Sequence, residues 1–406
     1  MDEKKRAPKL RFKGFTDDWE QRKLGDLVNF YGGLTYHPED IRDNGTFIIR
    51  SSNIKDGQLV TKDNIFVNPK VVNSSYVKKG DIIVVVRNGS KSLIGKHTKL
   101  NFSLDNAVIG AFMTGIRSNN TDFINALFDS DNYKKEIQKN LGATINQITT
   151  GNFKKMQFYI PSLIDEKINL GSLIRIIDNL LVLQQRKLDQ LKLLKKAMFQ
   201  QLFTDNKTPI LRFRGFNIAW KQCTLGDLVK IVGGGTPSTK ISKYWNGNIN
   251  WYSPTEIGDQ IYVNSSKKKI TELGLKNSSA KILPGNRTIL FTSRAGIGDM
   301  AIMTNDGTTN QGFQSWVINS NKVDIYFLYS LGKKLKKQAF RKASGSTFLE
   351  ISNSEVKKLS LFTPSFEEQT NIGNFLKTID NQITLQQENI NRLEQIKKFL
   401  LQNMFI

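Results

Sequence analysis

The chain carries two histidines, His37 and His97, and a single cysteine, Cys223. A structural zinc site draws four ligands mainly from Cys and His, so this inventory cannot assemble one and no metal is expected. A Ser-His-Asp triad is formally open, but no G-x-S-x-G elbow presents a serine. No G-x-x-x-x-G-K-[ST] loop offers backbone amides to a phosphate. The stretch GIGDMA, from Gly296 to Ala301, satisfies half of a dinucleotide or S-adenosylmethionine loop and follows the apolar run RTILFTS. The residues after it, IMTNDGTTNQG, read as strand and turn, whereas such a loop must open a helix, so a β-turn is the expectation. Neither an Asn-Pro-Pro-aromatic methyltransferase motif nor a carboxylate cluster suited to two-metal phosphodiester cleavage is present. No catalytic residue is assigned.

The cations point elsewhere. Lys and Arg number 59 against 36 Asp and Glu, a formal charge of +23. That excess favours a polyanionic partner, because each neutralised phosphate releases counterions. Nucleic acid and an anionic membrane surface are the two candidates. No run approaches the roughly 18 apolar residues of a spanning helix, and the opening MDEKKRAPKL lacks the apolar stretch of a secretory signal. One cysteine also excludes an internal disulfide framework. A cytoplasmic protein with no membrane partner is expected.

Reading bases requires Arg, Asn, Gln, Lys, Ser or Thr displayed on loops. Two strand-to-loop junctions, VVVRNGSKSLIGK and FTSRAGIGDM, place Arg87 and Arg294 at corresponding points. Around them Asn88, Lys91, Lys96 and Ser293 are candidate DNA contacts, as are Lys240, Lys243 and Tyr244. RSSN from Arg50 and YSPTE, which includes Thr255, supply weaker ones. Each arginine could instead form an ordinary surface ion pair, and any single lysine cluster could be a solvated face.

These residues sit in a frame that is written twice. PKLRFKGFTDDWEQRKLGDLV begins at Pro8 and PILRFRGFNIAWKQCTLGDLV at Pro209. GATINQITTGNFKKMQFYIPS from Gly142 likewise pairs with GSTFLEISNSEVKKLSLFTPS from Gly345. The chain is therefore two units of about 200 residues. Between the anchors the copies diverge: YGGLTYHPEDIRDNGTFIIRSSN stands where the second unit has VGGGTPSTKISKYWNGNINWYSPTE. Short runs rich in Val, Ile, Thr and aromatics predict strands over 20–160 and 221–362, with one helix each at 121–140 and 323–342.

Each unit ends differently. From Glu166 to Phe203, and from Glu368 to Phe405, there is no Pro, and no Gly beyond the paired Gly171 and Gly373. Ile177, Leu181, Gln184, Leu188, Leu191, Lys195, Met198 and Leu202 form a heptad stripe. Ile379, Ile383, Gln386, Ile390, Leu393, Lys397, Leu400 and Met404 repeat it in phase. A run of about 38 residues far exceeds an average helix, which favours a coiled-coil seam over an ordinary core face, with the duplicate helix as partner. A Pro-Ser pair precedes each helix, at Pro161 and Pro364, as an initiation signal.

In their order, these features resemble the specificity subunit of Type I restriction-modification enzymes across essentially the whole chain. The residues carrying the resemblance are the duplicated W-x-Q-x-x-L-G-D-L-V, the block GGGTPSTKISKYWNGNINW, SRAGIGDMAI followed by NQGFQSW, and the helices ending in FQQLF and LQNMF. It implies an α+β protein with two tandem, strand-rich target-recognition domains separated by two long helices, which pair as an antiparallel intramolecular coiled coil with pseudo-two-fold symmetry. The domains would be 1–160 and 208–363, and the helical spacers 161–207 and 364–406. It also implies a non-catalytic chain that binds no cofactor itself. Double-stranded DNA, two modification subunits using S-adenosylmethionine and restriction subunits using ATP and Mg would be its partners. The first unit departs from the pattern, with GGLTYHP for GGGTPS and RNGSKSLIG for RAGIG.

Geometry is consistent with a two-part reader. A helix of about 38 residues spans roughly 57 Å, the length of some 17 base pairs. Two dissimilar domains related by a pseudo-two-fold axis would read a split, non-palindromic target. A stand-alone repressor or architectural DNA-binding protein remains the competing reading, and an enzyme with an unrecognised site a third.

Overall fold

The computed structural model describes residues 6–142, 146–204, 206–258, 260–294, 296–345 and 349–406. The chain folds as two compact units, one formed by residues 1–186 with 388–406 and the other by 187–387. Each is treated by itself.

The first unit is built on a four-stranded antiparallel sheet in the order Asn29–Gly32, Met113–Arg117, Ile82–Val85, His97–Lys99. Ile82, Ile83, Val84 and Val85 are fully buried. A continuous apolar run marks a strand covered on both faces. A second sheet, Ala107–Ile109, Thr46–Ile49, Ile65–Val67, Ile41–Arg42, joins strands from the divergent region. The helix expected over 121–140 is two helices, Thr121–Asp129 and Asp131–Asn140. Ser130 takes an extended conformation between them, and its hydroxyl accepts from the Tyr133 amide at 3.3 Å, capping the second.

The second unit repeats this frame. Its main sheet runs Val229–Gly233, Gln314–Ile318, Thr288–Phe291, Met300–Met303, Tyr262–Val263. The helix expected over 323–342 is again divided, into Ile325–Ser330 and Gly332–Lys342. GIGDMA is a turn, with Gly296 and Gly298 at φ of +103° and +87°, leading into the strand Met300–Met303. The β-turn expectation therefore stands over the dinucleotide loop.

The duplicated opening has a packing role. In the first unit Arg11 makes a two-point contact with Glu166, from Nε at 2.7 Å and Nη2 at 2.8 Å, and the Trp19 indole donates to the same carboxylate. In the second, Arg212 clasps Glu368 at 2.7 Å through both nitrogens. Glu166 and Glu368 are almost wholly buried at the head of a long helix, so each arginine supplies the charge that makes burial tolerable. The Leu-Gly-Asp motif is equally constrained. A Cβ on Gly25 would lie 3.1 Å from the Lys154 Cβ, and one on Gly226 3.2 Å from that of Lys357.

The two long helices span Ile164–Leu202 and Phe366–Met404. Ser365 caps the second, its hydroxyl accepting from the Glu368 amide at 3.4 Å. Ser162, at the same place before the first, donates instead to the Asp18 carbonyl at 3.0 Å. In the first unit the start of the first helix lies antiparallel to the end of the second, tied by Asp178 and Lys397. In the second unit the start of the second helix meets the end of the first through Asp380 and Lys195. Within each unit the paired helix segments thus run in opposite directions, as an antiparallel coiled coil requires. Along the seam Ile177, Leu188, Ile379 and Ile390 are buried, while Leu181, Leu191, Met198, Ile383, Leu393 and Leu400 are half-buried. The polar interruptions Gln184, Lys195 and Lys397 are half-buried, and Gln386 is buried.

Candidate nucleic-acid interface

Backbone pairing fixes which loop residues correspond. In the first unit the Val86 amide donates to the Phe112 carbonyl and the Val86 carbonyl accepts from Ile148. In the second, Ser293 makes the same two bonds, to Gly312 and from Ile351. Arg87 and Arg294 are therefore equivalent, as are Phe112 and Gly312, and Gln147 and Glu350. A second match comes from two short 3-10 turns. The Arg50 amide donates to the Asn53 side chain at 3.0 Å, and the Ser253 amide to the Glu256 carboxylate at 2.9 Å. Arg50 thus stands where the second unit has Ser253, and Ser52 where it has Thr255.

On this shared backbone the side chains differ. Arg87 is exposed and its guanidinium lies over the Phe112 ring, 4.9 Å from the centroid. Phe112 itself is 52% exposed. It lines a cleft of about 430 Å³ with Tyr36, Arg50, Ser51 and Ser52. Arg50 is half-buried and donates from Nη2 to the Asp63 carbonyl at 2.8 Å, so part of its fork is committed to structure. The Asn88 amide donates to the Ser51 hydroxyl at 3.1 Å and its oxygen accepts from the Ser90 amide, which stitches the two loops together.

Lys91 and Lys96 do not join this cleft. They line another, of about 880 Å³, with His97, Asp129 and Lys397. There His97 meets Asp129 at 3.3 Å, and Lys397 meets both Asp129 and Asp178 at 2.6 Å. Burial opposes the Asp129 charge, but His97 and Lys397 outweigh it and hold the carboxyl well below its usual range.

In the second unit Arg294 is exposed and forms an ion pair with Glu350, Nε to Oε1 at 2.8 Å. Ser293 is a correction: it is fully buried behind the strand end and cannot face a ligand. Its neighbour points outward because successive residues of an extended chain alternate sides. Thr255 is exposed and its hydroxyl lies 3.1 Å from that of Ser253. Lys240 and Lys243 are exposed and Tyr244 half-buried, on the segment ahead of the strand Trp245–Tyr252. The Lys243 and Tyr244 carbonyls bind Thr271, which anchors that segment. Phe112, Gln147 and Glu350 escaped the sequence reading. The last two already lay opposite each other in the aligned GATINQI and GSTFLEI, but only the fold puts them beside the arginines.

Among the described residues no group of His, Cys, Asp and Glu could hold a metal ion, and no helix is long and apolar enough to cross a membrane. A twofold-repeated, strand-rich frame that displays different loop residues on paired long helices defines a duplicated recognition protein. The family profile described as Type I restriction modification DNA specificity domain matches twice, over residues 16–193 and 217–395, and the chain belongs to that family. The MjaIX specificity subunit of Methanocaldococcus jannaschii is 37% identical over 190 residues, 46% of this chain and 44% of that protein. The StySPI specificity subunit of Salmonella potsdam is 26% identical over 93% of this chain and 87% of its own length. The crystal structure of the S subunit from M. genitalium superposes with a TM-score of 0.67 at 16% identity, covering 98% of this chain and 99% of that one. Specificity subunits are the non-catalytic components of Type I restriction-modification systems, beside restriction and methylation subunits. DNA binding and a part in host defence follow from the family.

Proposed function

We propose that this chain is the DNA-reading subunit of a Type I restriction-modification complex and binds an asymmetric, two-part duplex target. Residues 1–160 and 208–363 are the two target-recognition domains, and 161–207 and 364–406 the helical spacers. The observation that carries this reading is the shared loop frame with exchanged side chains: Arg50 for Ser253, Phe112 for Gly312 and Gln147 for Glu350. Equivalent backbones with different donors and acceptors select different bases, so the two half-sites differ. The net charge of +23 supplies phosphate attraction, which positions the chain without specifying sequence.

In this reading two modification subunits dock on the chain with S-adenosylmethionine, and restriction subunits with ATP and Mg, in the cytoplasm. The test is to express the chain with its modification subunits in a methylation-free host and sequence the DNA for N6-methyladenine. A split, asymmetric motif is expected, and exchanging residues 1–160 for those of a relative should change one half only. A formed complex that leaves no methylation would favour a stand-alone DNA-binding protein.

A further inference from the structure

Resting on that reading, we infer that the residue facing the shared arginine, Gln147 in the first unit and Glu350 in the second, determines which base each domain accepts beside a guanine. Both arginines occupy the same strand end, both are exposed, and both sit opposite this position on the neighbouring chain segment. An arginine fork donates to guanine O6 and N7, so the common element of the two sites reads guanine. What differs is the neighbour.

The Glu350 carboxylate, paired with Arg294, offers acceptors only. In the major groove it fits a base that offers an amino group, and cytosine N4 is the partner that carboxylates take. Its ion pair with Arg294 holds donor and acceptor side by side, matched to a guanine and a cytosine at neighbouring positions. The pair is half exposed, at 50% and 35% for the two side chains, so it is weak in water and opens to a ligand at little cost. Gln147 carries a donor and an acceptor, the match for adenine N6 and N7. Arg87 has no carboxylate in that place; Phe112 carries it by stacking, which holds the guanidinium without occupying an acceptor. Gly312 removes that support in the second unit, where Glu350 takes over the positioning.

The test uses the full chain assembled with its modification subunits and a pool of synthetic duplexes randomised across each half-site, read by selection and sequencing. Glu350→Gln should move the preference at one position of the second half-site from cytosine to adenine, by roughly tenfold or more, and leave the first half-site unchanged. Gln147→Glu should do the converse in the first half-site, which keeps the inference testable if the other variant fails to assemble. A two-part preference in the parent complex that neither variant alters, or a uniform loss over all sequences, overturns the inference alone. A parent complex without any sequence preference overturns both it and the reading on which it rests.

Discussion

Asp178 and Lys397 form an ion pair at 2.6 Å, and the duplicated positions Asp380 and Lys195 form the same pair with the two helices exchanging roles. The surroundings have diverged. Lys397 also holds Asp129, which His97 approaches, whereas Asp380 accepts a hydrogen bond from the Tyr326 hydroxyl at 2.8 Å. Met300 stands where the first unit has His97, by the pairing of each with the adjacent strand. One duplicated contact has thus acquired a charged neighbourhood in one unit and a phenolic one in the other.

Replacing Lys397 by Met should leave Asp178 under partial burial without its cation and Asp129 with His97 alone. Both carboxylates are about a quarter exposed, so the loss is below that of a fully buried pair, roughly 1–3 kcal/mol. Chemical denaturation of the chain is the measurement. A midpoint unchanged from the parent would show that the network contributes nothing.

The Asp129 network also sets a pH dependence. The folded pKa lies below the ordinary carboxylate value, so the unfolded state takes up a proton first as pH falls. The stability is present above about pH 4, the unfolded pKa, and is lost as pH drops toward the folded one. Asp129→Asn should be less stable than the parent at pH 7, and the gap should narrow on acidification from pH 5 to pH 3. A constant gap would contradict the assignment.

Arg11→Ala and Arg212→Ala strand Glu166 and Glu368, each about 1% exposed or less. Each should destabilise its unit by about 3–5 kcal/mol, the cost of an uncompensated buried charge. Adding Glu166→Gln to the first variant, or Glu368→Gln to the second, should recover part of the loss. Thermal unfolding of the single and double variants checks both statements.

At the seam, Leu188→Asp and Ile390→Asp place a charge where the parent residues are 1% and 4% exposed. The double variant should lose roughly 3 kcal/mol or more and fail to co-purify with modification subunits. Intact assembly and an unchanged melting temperature would argue against the helix pairing.

On DNA, Arg294→Ala should weaken one half-site by about 1–3 kcal/mol. Lys240→Ala with Lys243→Ala should weaken all duplexes alike and flatten the salt dependence. Competition binding against unrelated DNA at two salt concentrations separates the two behaviours.

Much of this was legible in the residues. The duplication, the long helices and the Ile177 to Leu202 stripe rest on local periodicity, which a sequence records directly because spacing along the chain is spacing on the helix face. The turn at GIGDMA was legible because the residues after it read as a strand, not as the helix a dinucleotide loop must open. What the sequence did not reveal came from contacts between distant residues. Phe405 packs against Trp19 and Phe123, and Phe203 against Trp220 and Phe327, so the end of each long helix completes the core of a unit. No local pattern states which core a helix end will enter. The burial of Ser293, the break at Ser130 and the meeting of Arg294 with Glu350 were likewise decided by tertiary structure. The sequence alone determined a twice-written, basic frame on paired helices; only the fold, by bringing strand ends and distant loops together, decided which side chains stand where bases could be read.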